Sequence, residues 1–195
     1  MNKKSGIVFT LVAVLLSLLS AQVQAANYKP TKGATEVMLS PVVINALVSQ
    51  GITLSKIAPA KLVGQVARFP INGGSVEQPI ASQLKASVNH TGGLSFKKKN
   101  VTVKVRRFII DTTAGQLTGN VVANGLPLGR LPLFDLDLSQ ATIDNPTGKL
   151  AVKNVALKLT NTVADALNAA FKVGFVKGLM IGTANVQIDK MKLMK

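Results

Sequence analysis

One histidine, His90, stands in a chain of 195 residues that carries eight acidic side chains and no cysteine. An imidazole with an ordinary pKa of roughly 6.5 can serve as a general base, ligate a metal or haem iron, or sense pH. His90 precedes Thr91-Gly92-Gly93, a run that puts the ring at the end of a loop, where it can equally be an exposed turn residue or a hydrogen-bonded cap. Catalytic and metal-binding roles need partner groups at compatible positions, and the neighbouring sequence offers none. A second candidate is the pair Asp135 and Asp137 in "FDLDLS". On a strand their alternation places both carboxylates on one face and Phe134, Leu136 and Leu138 on the other. Such a pair can run acid–base chemistry if burial separates its pKa values. It can also be the solvated face of an amphipathic strand, meeting lysines across the sheet. The third group is Lys97, Lys98, Lys99, Lys104, Arg106 and Arg107, which could collect phosphates or sulfates or guard a strand end against edge-to-edge pairing. No G-x-S-x-G elbow, H-E-x-x-H helix or P-loop is present, and without cysteine there is no thiolate chemistry. The expectation is a protein that is not an enzyme and holds no metal.

The elements that position these groups begin after an export signal. Lys3 and Lys4 precede an uncharged apolar run from Ile7 to Leu19, and Val23-Gln24-Ala25 supplies small residues where a signal peptidase reads. Residues 1–25 are therefore expected to be a signal peptide, and 26–195 a single domain that is periplasmic or extracellular. A membrane anchor would need about 20 apolar residues. The remaining 170 residues are enough to bury about two-thirds of their unfolded surface without disulfides. Removal of Lys3 and Lys4 takes the formal charge from +15 to +13, a field that attracts polyanions or merely keeps the protein soluble. Export directs attention to an anionic envelope component or polysaccharide rather than nucleic acid. One tyrosine and no tryptophan leave few platforms for stacking bases or sugars.

Two segments share a pattern, "VMLSPVVINALVSQG" (37–51) and "LKLTNTVADALNAAF" (157–171). Each opens as a short strand, meets Ser40 or Thr160 as a helix N-cap and continues as an apolar helical face. In the second, Val163, Ala166, Leu167, Ala170 and Phe171 form one stripe; in the first, Pro41 and Gly51 mark start and stop. Between them the period falls to two. Strands are expected over 64–71, 94–110, 116–123, 131–139 and 149–159, with others following each helix at 52–57 and 181–188. Gly73-Gly74, Gly92-Gly93, Thr113-Ala114-Gly115, Asn124-Gly125 and the run 144–148 are read as the turns between strands. Short connections favour antiparallel pairing. The fold class is α+β: a predominantly antiparallel twisted sheet or sandwich, with two short helices near the ends of the domain.

Within "NVTVKVRRFIID" the alternation slips. Val101, Val103 and Val105 share a face, yet the next apolar positions are Phe108 and Ile110. A β-bulge at Arg106-Arg107 would keep both aromatic and aliphatic residues in the core and both cations in water.

The runs "HTGGLSFKKKNVTVKVRRFIID", "GQLTGNV" and "LFDLDLSQA" resemble the bacterial secreted HtaA-type haem-binding domains, in which a His-Gly-Gly turn opens a strand pair and a later strand carries alternating Leu and Asp. The resemblance implies a sheet-rich exported domain with short helices and His90 at a pocket mouth. It implies haem as a possible cofactor, held in that family by a tyrosine from an N-terminal region; the only tyrosine here is Tyr28, which precedes the first expected strand. The leading expectation is a binding or adhesion-type domain acting at the bacterial cell envelope through its basic surface. The alternative is a carrier of a small apolar ligand, haem or lipid, in a groove between helices and sheet.

Overall fold

The computed structural model describes residues 26–77 and 84–194; the expected signal peptide lies outside the described residues. In chain order the elements are β1 (Asn27–Leu39), α1 (Pro41–Ser49), β2 (Thr53–Ile57), β3 (Lys61–Val63), β4 (Val66–Glu77), β5 (Ala86–His90), β6 (Gly93–Lys98), β7 (Val101–Asp111), β8 (Gln116–Ala123), β9 (Leu126–Asp137), β10 (Thr142–Asp144), β11 (Leu150–Leu159), α2 (Asn161–Phe171) and β12 (Met180–Leu193). The α+β class, rich in antiparallel strands and with two short helices, is as the sequence predicts.

The strands follow the order β2-β6-β7-β5-β4-β1-β12-β11-β9-β8, and β8 pairs in turn with β7. Eight of them, β7-β5-β4-β1-β12-β11-β9-β8, thus form a ring that returns to its start, which leaves no open edge along the ring itself. Strands β5 and β6 both run antiparallel to β7, Val88 facing Ile110 and Leu94 facing Val105. They are one strand interrupted at Thr91-Gly92, and the sheet forks there: β4 accompanies β5, whereas β2 accompanies β6. A Cβ on Gly92, at φ +80°, would sit 2.5 Å from the Ala60 nitrogen, so only glycine lets the two branches meet this closely. The arm β2-β6-β7-β8-β9 therefore projects past the rest of the ring.

Both helices close this same end. Strands β1 and β11 flank β12, each antiparallel to it, so they run parallel, and α1 and α2 follow directly at their carboxyl ends. Two helices that lie far apart in sequence consequently share one lid. Helix α2 is capped by Thr160, whose Oγ1 accepts from the Val163 amide at 3.4 Å; Ser40 occupies the equivalent position of α1 without a side-chain cap, and Pro41 begins that helix. Val43 and Leu47 of α1, and Val163, Ala164 and Phe171 of α2, are buried. Ala166, expected in the stripe, stays exposed, because the buried face of α2 swings towards Ala164 in its first turn. The barrel interior centres on Phe69 and Phe108, stacked edge to face with centroids 4.9 Å apart, a pair that adds about 0.5–1.5 kcal/mol beyond its buried area.

The bulge falls where the phase slip places it. Register against β8 shifts between Arg106 and Ile109, Arg107 adopts φ 54°, both arginines are exposed and Phe108 and Ile110 are buried. Three other readings change. The expected strand 94–110 is two strands joined at Lys99-Asn100, with Lys99 at φ 51°, a reversal that no glycine or proline announces. Gly73-Gly74 lies inside β4, where the register against β5 shifts and a Cβ on Gly74 would meet the Ser87 carbonyl oxygen at 1.9 Å. Gly92-Gly93 interrupts a strand without reversing it. Strands β3, β5 and β10 were not expected; of β1 only the short stretch before Ser40 was, and the strand extends back to Asn27, so that Tyr28 belongs to it rather than preceding it. Asn124-Gly125 is a two-residue hairpin turn, both residues at positive φ, as the dipeptide demands.

Candidate functional site

His90, the last residue of β5, is 3% exposed and does not stand at a loop end. Its Nδ1 lies 3.3 Å from the Phe108 carbonyl oxygen and its Nε2 lies 2.7 Å from Thr35 Oγ1. A carbonyl only accepts, so Nδ1 carries the proton of the neutral ring, Nε2 accepts, and the Thr35 hydroxyl donates. Strand β4 brings the pair together: Thr35 faces Phe69, and Ile71, two residues along, faces His90. Burial pushes the imidazole down to about 4, against backbone hydrogen bonds at Phe108 and Val88 that act the other way. At neutral pH the ring is uncharged and both nitrogens are engaged.

Beside this pair the barrel encloses a cavity of about 80 Å³, and among its lining residues Thr35 and His90 are the only polar side chains. A second cavity of about 120 Å³ lies between the projecting arm and the two helices. The two share Val43, Leu47, Phe96, Val105, Phe134 and Ile181 in their walls, so a thin partition of side chains divides one apolar hollow. On its outer side the second cavity reaches Leu128 of β9 and Ala166 and Ala170 of α2; Leu128 is 50% exposed, and small residues on α2 leave a mouth.

The structure separates the remaining sequence candidates. Tyr28 lies seven residues before Thr35 on β1, about 23 Å at the usual strand rise, and lines neither cavity. Lys98 turns inward from the basic run: its Nζ donates to the Phe171 carbonyl oxygen at 2.9 Å and to Gln50 Oε1 at 3.3 Å. Phe171 ends α2 and Gln50 caps α1, so a single ammonium meets the last carbonyl of α2, at the negative end of its dipole, and the side chain of the residue that closes α1. Lys97, Lys99, Lys104, Arg106 and Arg107 stay exposed, and none of them has an ion-pair partner among the described residues. Asp137 meets Lys158 at 2.7 Å; the hydrogen bond from that ammonium, aided by Ser139, holds the carboxyl below its usual range. Asp135 touches Gln116 at 3.5 Å. The carboxylate pair is a cross-strand feature of the sheet surface, away from the hollow. No cluster of three or more potential metal ligands occurs among the described residues, and none of their helices is long and apolar enough to cross a membrane. The residue sequence reasoning missed is Thr35, which carries no local signal: its partner lies 55 positions away.

By architecture the molecule belongs with closed antiparallel β domains capped by two short helices around an apolar interior. Among solved structures this arrangement recurs in HtaA from Corynebacterium glutamicum. The crystal structure of the HtaA C-terminal domain matches with a TM-score of 0.64 and 13% identity, over 85% of this chain and 99% of that one. A domain-swapped dimer of a histidine-to-alanine variant of the same domain matches at 0.54 and 14%, over 79% and 88%. The HtaA N-terminal domain matches at 0.53 and 14%, over 86% and 100%. No family model matches the sequence, and no curated protein does. The expected HtaA-like relationship holds at the level of fold.

Proposed function

We propose that the protein is an exported binding domain without enzymatic activity that takes up a small, slender, apolar ligand of lipid-like chemistry in the hollow between barrel and helices. The observation that carries this reading is the hollow itself. Its two parts amount to about 200 Å³, walled almost wholly by carbon. Apolar cavities of this kind stay dry and accept apolar guests. The one polar pair in the wall is mutually satisfied, so the ligand meets carbon nearly everywhere. Export is part of the proposal on the strength of Lys3, Lys4 and the apolar run that follows them.

Haem, which the resemblance to HtaA-type domains suggests, fits these residues poorly. An axial ligand needs a free lone pair, and the Nε2 of His90 is occupied by Thr35, while Tyr28 lies far along β1 outside both cavities. The hollow is also smaller than the roughly 300–1,000 Å³ of pockets that enclose larger ligands.

The test is purification of the protein from its host without detergent, solvent extraction and mass spectrometry, followed by titration of the stripped protein with a polarity-sensitive apolar fluorophore. The expected result is a co-purifying lipid-like molecule and saturable uptake, which Ala170→Leu, placed at the mouth, lowers by tenfold or more. A Soret band in the purified protein would return haem to first place. Stripped protein that takes up no probe would overturn the proposal.

A further inference from the structure

Two hairpin tips meet beside the mouth of the second cavity, and their chemistry differs. The β8–β9 tip exposes Leu126 by 69% and Leu128 by 50%. The β6–β7 tip exposes Lys97 and Lys99. Asn124 locks them side by side, donating its amide to the Thr102 carbonyl at 2.8 Å and accepting from the Thr102 amide at 2.7 Å through Oδ1. The tip-proximal parts of the two hairpins, residues 93–106 and 117–134, contain no acidic residue; Asp111, Asp135 and Asp137 stand at the far ends of β7 and β9, away from the lysines. Lys98 keeps the basic tip against the ends of α1 and α2.

The geometry points to this paired tip as a docking surface for an anionic phospholipid bilayer, with Leu126 and Leu128 entering the headgroup region and Lys97 and Lys99 meeting lipid phosphates. Exposed leucines alone would suit many apolar partners; their pairing with unneutralised lysines on a rigidly joined neighbour matches a surface that is apolar a few ångströms deep and negative at its boundary. The site rests on the proposed function in one respect: Leu128 also lines the second cavity, so a docked molecule would present its mouth to the bilayer, and a lipid-like ligand could pass without crossing water.

Residues 26–195, which contain every described element, would be sedimented with vesicles of phosphatidylcholine alone and of phosphatidylcholine mixed with phosphatidylglycerol. The expected partition onto the anionic vesicles is at least about tenfold stronger and falls as salt rises. Leu126→Asp with Leu128→Asp, and separately Lys97→Glu with Lys99→Glu, should each remove most of that binding while the circular dichroism spectrum and melting temperature stay at the parent values. Absence of binding to anionic vesicles, equal binding to both compositions, or binding that survives both double variants overturns the inference, as does binding to protein-bearing native membranes but not to pure lipid. Uptake of the apolar fluorophore by the lysine variant, measured without vesicles, separates the two proposals: retained uptake with lost sedimentation supports docking as a distinct property, and lost uptake by the unmodified protein strikes the ligand reading instead.

Discussion

Thr35 Oγ1 and His90 Nε2 lie 2.7 Å apart inside a wall of carbon, joined across β4 from strands 55 residues apart. A buried acceptor that loses its donor bears its full desolvation penalty, about 1–3 kcal/mol. Thr35→Val keeps the shape and removes the hydroxyl, so urea denaturation should register a loss of that order, and Thr35→Ser should recover most of it. A valine variant as stable as the parent would mean that the pair is not formed.

His90 also sets a pH dependence. Its folded pKa is about 4, below the ordinary 6.5, so between those values the unfolded chain takes up a proton that the native ring refuses. Stability from this group is fully present above about pH 6.5 and declines as pH falls towards 4, by roughly 3 kcal/mol in all. Melting temperatures measured from about pH 7.5 down to about pH 4.5 should fall in the parent and fall less in His90→Gln.

Lys98 and Lys97 are neighbours with opposite fates. Replacing Lys98 by methionine removes the donor to Phe171 and Gln50 and should cost about 1–2 kcal/mol. Replacing Lys97, which is exposed, should stay within about 0.5 kcal/mol. Equal effects in chemical denaturation would contradict the inward course of Lys98.

Gly74→Ala tests the path of β4. The added methyl would lie 1.9 Å from the Ser87 oxygen, at φ +116°, so a loss of at least about 2 kcal/mol is expected. Gly115→Ala supplies the contrast, since no atom lies within 4 Å of its Cβ position and only the cost of φ +64° remains.

Legibility in the sequence followed the range of the interaction. The bulge at Arg106-Arg107 was readable because a slip in alternation is local: five residues state which side chains must be dry. The N-cap at Thr160, the hairpin at Asn124-Gly125 and the strand over 116–123 were readable for the same reason. The reversal at Lys99-Asn100 was not, since lysine at positive φ leaves no compositional mark, and a strand of alternating residues looks unbroken across it. Gly73-Gly74 misled in the other direction: the pair signals a turn by type, but its freedom is used here to bring β4 close to β5.

What the sequence alone determined is the antiparallel, disulfide-free, strand-rich body with two amphipathic helices, because periodicity of two and of 3.6 is written residue by residue. What only the tertiary structure decided is where those pieces meet. The parallel course of β1 and β11 puts both helices on one end, the fork at Gly92 lifts an arm over them, and the hollow between arm and helices exists only once the ring has closed. His90 became a buried, neutral partner of Thr35, and Lys98 a clasp for two helix ends, through contacts between segments that no local pattern couples.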